Sequence, residues 1–412
     1  MVRSVVIGLS LAATFGIGWQ DARDTKDAFE AQLRLARAAG FATTHAEYAA
    51  GLPKVTGSDN AAPFYLPSEP RKISSDAGLH LEVLAEEPSG ENLAKAKDYL
   101  TRQRDRLTQI ELAVQKPYCR FDRDWRDGAA VLLAEYSQMR QAAQLLMLRG
   151  VVAAAEGRQE AAIRDIDRTR VVARHLEGES MAVPTLIAIS IRASGLRLLA
   201  EWSLPEDSRQ AYLDALRKSL DDAPRDVLRA RWNDELCNLL STIDLCSTEK
   251  GRAKLGLTED EVAPGEGLFA NLIDPWTARS NLVAAYLAVW KSLDEPLEVR
   301  LRVFDAHEPA MTKAMLSFLT ASKLVDPSSL RNTLALRERW ISQLRQWEVV
   351  HRALTQTPIP ESMPLSDIVS PFDGKPLGYQ FDGKQIVVID GGAKFAEFRP
   401  RPLSLAVQSR VR

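Results

Sequence analysis

Cysteine is scarce: the 412 residues hold three, Cys119, Cys237 and Cys246. An odd number cannot all pair within one chain. Cys237 and Cys246 lie in a helix-favouring stretch, where nine residues give about 13 Å of rise, too far for a disulfide. Cys119 with either of the others stays open, and three small buried apolar side chains is the plainer expectation. Histidine is equally thin. His45, His80, His175, His307 and His351 have no partner at His-x3-His or His-Glu-x-x-His spacing, so no metal centre is expected. A Gly-Lys-Ser/Thr phosphate loop, a dinucleotide-binding glycine pattern and a Gly-x-Ser-x-Gly elbow are all absent, and no cofactor is expected. Nor is there a surplus of charge: 53 basic residues face 55 acidic ones, net −2. Phosphate recognition needs a basic excess, which argues against nucleic acid as a partner.

One long apolar run is present. Val5 to Trp19 carries no charge, follows Arg3, and is succeeded at once by Asp21, Arg23 and Asp24. This is the layout of a secretory leader or signal anchor over residues 1–22. The spacing of Gly16 and Gly18 offers weak cleavage signals, and an Ala-x-Ala site is missing. The expectation is an uncleaved single-pass anchor in the inner (cytoplasmic) membrane with the body outside the cytoplasm. Release to the periplasm is the alternative. The leader contains no cysteine, which excludes a lipoprotein anchor.

Residues 23–360 read as a helical body, loop-rich over 51–75 and 247–270. The chain is 45% hydrophobic and 26% charged, ordinary for a folded protein. Gly40 ends a first helix, and Glu47 three residues after Thr44 suggests a capping box. Helices are expected over 92–114, 129–156, 161–176, 183–202, 226–246, 275–293 and 295–304, with a long one over 330–354. The last has an apolar stripe of Leu330, Leu334, Trp340, Leu344, Trp347, Val350 and Leu354. Residues 183–202 are nearly all apolar, but Pro184, Arg192 and Arg197 favour a buried helix over a membrane span. "AEGRQEAAIRDIDRTRVVARHL" resembles one tetratricopeptide-type helix hairpin, with glycine at the turn. No second copy recurs at fixed period, so irregular stacked hairpins are expected rather than an array.

Two clusters invite chemistry. "PYCRFDRDWRDG" holds Asp122, Asp124 and Asp127 within six residues, a carboxylate group able in composition to bind a hard cation. Arg120, Arg123 and Arg126 are interleaved with it, which favours ion pairs. "FDAHEPA" gathers Asp305, His307 and Glu308, an acid–base set that also suits a helix end near Pro309. An envelope hydrolase would draw on Asp122, Asp124, Asp305 or His307. His175, with Glu177 and Glu179, reads as a cation complementing a helix C-terminus at Gly178.

Residues 361–412 break the helical pattern. "SPFDGKPLGYQFDGKQIVVIDGG" alternates apolar and polar residues about Asp382-Gly383, the preferred pair of a type I′ turn. That turn pairs Phe381 with Lys384, Tyr379 with Ile386 and Leu377 with Val388. A lone hairpin is marginal, so it must pack on the helices or gain a strand from 395–398.

"SPFDGKPLGYQF" resembles the C-terminal element of type II secretion major pseudopilins, through Pro371, Phe372, Pro376, Leu377 and Tyr379. Ser370 stands where that family has aspartate, and the prepilin cleavage motif is missing. The whole chain is similar to a group of uncharacterised bacterial proteins with a short N-terminal anchor. They share an "NAAPFY"-like loop, a block like "PYCRFDRDW", an Ala-rich helical body and this ending. The resemblance implies a mainly α envelope protein that binds or scaffolds, its partners being the membrane and envelope proteins. An accessory role in a secretion apparatus is a further alternative.

Overall fold

The computed structural model describes residues 24–51, 54–66, 76–86, 90–122, 134–179, 182–201, 210–211, 214, 225–246, 249–254, 275–316, 327–356, 358–391, 395–398, 400 and 402–406. The chain is mainly helical, with one small three-stranded antiparallel sheet. The 1–22 leader, Asp124, Asp127 and the first part of the expected 129–156 helix lie outside the described residues. Among the described residues no helix is long and apolar enough to cross a membrane.

Two compact units interleave along the sequence. The first holds residues 24–51 and most of 228–334; the second holds 54–122, 134–227 and 335–406. The chain passes from first to second at Ala335, where the expected 330–354 helix is in fact two, Pro327–Leu334 and Leu336–Leu354.

In the first unit, the helix over 24–38 ends where Gly40 adopts φ 77°. Phe41 N–H then donates to Ala36 O (3.0 Å) and Gly40 N–H to Arg37 O (3.0 Å), a Schellman closure. Phe41, 1% exposed, packs on Trp290 with ring centroids 4.6 Å apart. Thr44 caps the His45–Gly51 helix by accepting Glu47 N–H (3.1 Å), while the Glu47 carboxylate reaches back to Thr43 N–H (2.8 Å) rather than Thr44. The Pro275–Ser292 and Leu297–Leu316 helices pack as consecutive neighbours. The second runs on through Pro309 to Leu316, so Pro309 removes one ladder bond without ending the helix.

In the second unit, the expected 92–114 helix is split at Gln103 into Gly90–Arg102 and Arg104–Val114. Asp76–Glu86 adds a helix that the sequence pattern does not announce. Ala134–Ala155 and Gln159–Glu177 form a tightly packed hairpin. Gly157 at φ 74° closes it, with Arg158 N–H on Ala153 O at 2.9 Å. Ala182–Glu201 packs next, and its Arg192, 3% exposed, forms a two-pronged ion pair with Glu177. One end of this helix is less covered than expected, for Val183 and Leu186 are 49% and 51% exposed.

The C-terminal sheet runs β1 (Gly378–Phe381), β2 (Gln385–Ile389) and β3 (Leu403–Ala406). Its register corrects the expected one by two residues: Phe381 pairs with Ile386 and Tyr379 with Val388. The turn is centred on Gly383-Lys384. Gly383 has φ 84° and Lys384 does not share it, the pattern of a type II′ turn. Asp382 explains the slip. Its carboxylate accepts Lys384 N–H (2.9 Å) and Gln385 N–H (2.7 Å), so Asp382 serves the turn from outside it. Those bonds lower the Asp382 pKa. A two-residue shift preserves which face each side chain takes, and Ile386 and Val388 stay fully buried. The third strand is also relocated: Ala396–Phe398 is a 3-10 turn, and Leu403–Ala406 supplies the strand.

Candidate functional site

The two sequence blocks marked out above, "NAAPFY" and "PYCRF", meet in the second unit, joined by side-chain hydrogen bonds. Asn60 sits on Tyr118 as an isolated parallel bridge. Its side chain copies a strand: Oδ1 accepts Arg120 N–H (2.9 Å) and Ala62 N–H (3.1 Å), and Nδ2 donates to Arg120 O (2.8 Å). Ala61 N–H donates to Tyr118 O at 2.8 Å. Arg106, on the Arg104–Val114 helix, donates to Phe64 O (2.9 Å) and to Tyr65 O. Two loops with no sheet to satisfy them are thus zipped together by side chains, as buried backbone requires.

Beneath the zipper lie His175 and Glu179, at the C-terminal end of Gln159–Glu177 and just past it. The Tyr65 hydroxyl meets His175 Nδ1 at 2.8 Å, and His175 Nε2 meets Lys116 O at 2.9 Å. A carbonyl only accepts, so Nε2 carries the proton and Nδ1 accepts from Tyr65. Glu179 accepts Phe121 N–H (3.4 Å) and the Tyr136 hydroxyl (3.1 Å). His175 and Glu179 therefore hold the two ends of Lys116–Phe121. Both are almost wholly buried, 1% and 3% exposed. Burial lowers the His175 pKa to about 4, against the opposing bond to Lys116 O. His175 is thus neutral at pH 7, which corrects its reading as a cation at a helix end; desolvation outweighs the helix dipole here.

A second polar cluster occupies the first unit. His45 Nε2 donates to Asn238 Oδ1 (3.0 Å), and Asn238 Nδ2 donates to Asp234 Oδ2 (3.0 Å). Asn233 grips Ala42 at both ends of its peptide, accepting N–H at 2.9 Å and donating to O at 2.7 Å. Cys237 donates to the same carbonyl at 3.5 Å. Cysteine, histidine, asparagine and aspartate in one place have the composition of a nucleophilic site. The chemistry is wrong for one: Cys237 is 1% exposed, and burial pushes its thiol pKa far up. A reactive thiol needs the reverse. Cys119 and Cys237 are both buried, and neither is in a disulfide.

The acid–base candidates from the sequence are dispersed among different jobs. Asp122 is exposed in the second unit. Asp305 and His307 share the Leu297–Leu316 helix of the first, where Asp305 accepts from Arg331 Nε at 2.9 Å. Among the described residues no group of three His, Cys, Asp or Glu is placed to hold a metal ion. Sequence reasoning singled out the two loop blocks but missed that Asn60, Tyr136 and Glu179 join them. The one available signal was an Asn-x-x-Pro loop and an aromatic-rich Cys block in a chain otherwise made of helices. No protein-family model matches the chain, and no curated protein or solved structure matches it.

Proposed function

We propose that the chain is a membrane-tethered, extracytoplasmic helical protein that binds or scaffolds other components of the cell envelope. The uncharged Val5–Trp19 run behind Arg3 is the support for the tether. The packed hairpin Ala134–Glu177, followed by Ala182–Glu201, supports a stack of irregular, partly tetratricopeptide-like hairpins, an architecture suited to partner surfaces by analogy of fold.

One observation carries the binding reading over catalysis. The histidine and carboxylate of the loop junction are spent on Tyr65, Lys116 O, Phe121 N–H and Tyr136, while its outer side presents Tyr118, 55% exposed, and Leu66, 45% exposed. Beside them Lys116 Nζ lies 5.7 Å from the half-buried Phe64 ring. Exposed aromatics with a cationic neighbour are the usual anchors of recognition surfaces. An envelope hydrolase using Asp122, Asp124, Asp305 or His307, of which Asp124 lies outside the described residues, is the alternative, and an accessory of a secretion apparatus is suggested by the 370–379 element alone.

The test has two arms. Protease added to intact spheroplasts should digest the body, and washing without detergent should leave the chain on the membrane. A body protected from protease and soluble without detergent overturns the tether. A photo-crosslinker at Tyr118 should then capture an envelope component in cells that one at His307 does not; equal capture at both positions removes the junction as the binding surface.

A further inference from the structure

Two helices of the first unit, 24–38 and Pro275–Ser292, lie side by side and run in the same direction. Their first turns meet: Phe29 packs on Trp276 with ring centroids 5.7 Å apart, and Lys26 Nζ lies 5.6 Å from the centroid of the same indole. Their far ends meet too, where Phe41 packs on Trp290 and Trp290 Nε1–H donates to Ala39 O at 3.2 Å. Both helices therefore start at one end of the unit. Trp276 is half-buried there, between Lys26 and the Arg279 guanidinium, which is 4.9 Å from its ring centroid. Arg279 donates to Asp244 at 2.7 Å, while Lys26 is exposed, with Asp24, Asp27 and Glu30 near it along the helix.

We propose that this end of the first unit rests on the surface of the bilayer that holds the 1–22 segment, with Trp276 at the level of the lipid headgroups and Lys26 Nζ on their phosphates. The inference rests on the tether proposed above and adds which part of the body touches lipid, and through what. Chain length gives the direction. The uncharged run ends at Trp19, and the five steps from there to Asp24 span at most about 18 Å. From Asp24 to Ala38 the helix rises about 21 Å. If the far end, with Phe41 and Trp290, stood on the bilayer, Asp24 would lie farther from it than the intervening chain can reach. The near end meets no such conflict. Side-chain chemistry agrees. Tryptophan settles at the membrane–water boundary, and a lysine beside it extends its ammonium to the phosphates. Asp24, Asp27 and Glu30 beside Lys26, and Asp244 on Arg279, leave no cationic surplus at this end. That suits zwitterionic headgroups, whose ammonium accepts a carboxylate neighbour, over an anionic surface, which needs a basic cluster.

The test uses the full chain in phosphatidylcholine vesicles in which some headgroups carry a nitroxide. A thiol-reactive fluorophore is placed on the Ala28→Cys or the Ala38→Cys variant, both at exposed positions of the 24–38 helix. The signal of the unaltered chain, treated in the same way, is subtracted. The label at 28 should be quenched at least about twofold more than the label at 38, which sits about 15 Å farther along the axis. Lys26→Glu keeps a residue that suits a helix's first turn. It should lower quenching at 28 toward the level at 38, with the chain still on the vesicles. A chain that leaves the vesicles without detergent overturns the tether and this contact together. A chain that stays, with quenching at 38 equal to or above that at 28, leaves the tether standing and sinks the contact. Quenching at 28 that Lys26→Glu does not change overturns the assignment to Lys26.

Discussion

His45 and His175 are both almost wholly buried, 5% and 1% exposed, and burial lowers the pKa of each. They differ in what they face. His45 donates from Nε2 to Asn238, a bond that either protonation state can make. His175 donates to Lys116 O and must accept from Tyr65, so only the neutral ring satisfies both partners. Burial sets the direction in each unit, and the partners decide how completely one protonation state is locked.

The largest expected effect breaks that contrast outright. His175→Ala leaves a cavity and strands the Tyr65 hydroxyl and Lys116 O, which should cost roughly 3–5 kcal/mol. Urea unfolding with labelling of Cys119, identified by peptide mass, reads this within the second unit. A loss below about 1 kcal/mol would show that the junction is not held through His175.

Acid sharpens the contrast. The folded His175 pKa is about 4 against an ordinary 6.5. Between these values the unfolded chain binds the proton and the folded chain does not. Stability from this group is therefore complete above about pH 6.5 and is lost as pH falls toward 4, by about 3 kcal/mol in all. The pH dependence of the urea midpoint should flatten in this window in a His175→Gln chain. An unaltered slope would show that another group carries the titration.

Smaller effects test the first unit. Asn233→Ala removes the acceptor of Ala42 N–H and the nearer of the two donors to Ala42 O, and should cost roughly 1–3 kcal/mol, read at Cys237. His45→Gln retains a donor for Asn238 and should cost less than about 1 kcal/mol. If it costs as much as His175→Ala, the distinction between the two histidines fails.

Much of the fold was legible in the chain. Gly40 and Gly157 stop helices because each supplies a positive φ that closes a Schellman turn, a local event with a local signature. The Asp382-Gly383 hairpin was legible as a hairpin but not in register, because the Asp382 carboxylate competes for the turn's own N–H groups. The break at Ala335 and the passage through Pro309 were hidden: neither residue type announces what the neighbouring helices impose. Of the candidate site, the two loop blocks were visible and their union was not. Asn60 and Tyr118 are far apart in sequence, and Asn60 carries no mark of the strand it imitates.

The sequence by itself determined that this chain is mostly helix with a β ending, that its charge is balanced, and that its histidines and cysteines lack metal spacing. Those properties depend on composition and on neighbours three or four residues away. Tertiary structure alone decided that His175 is neutral, that the Cys237 thiol is buried with a raised pKa, and that Glu338, Ser342 and Gln346 are buried although they lie off the apolar stripe. Protonation and burial depend on how much water the rest of the chain leaves around a group, and no local pattern carries that information.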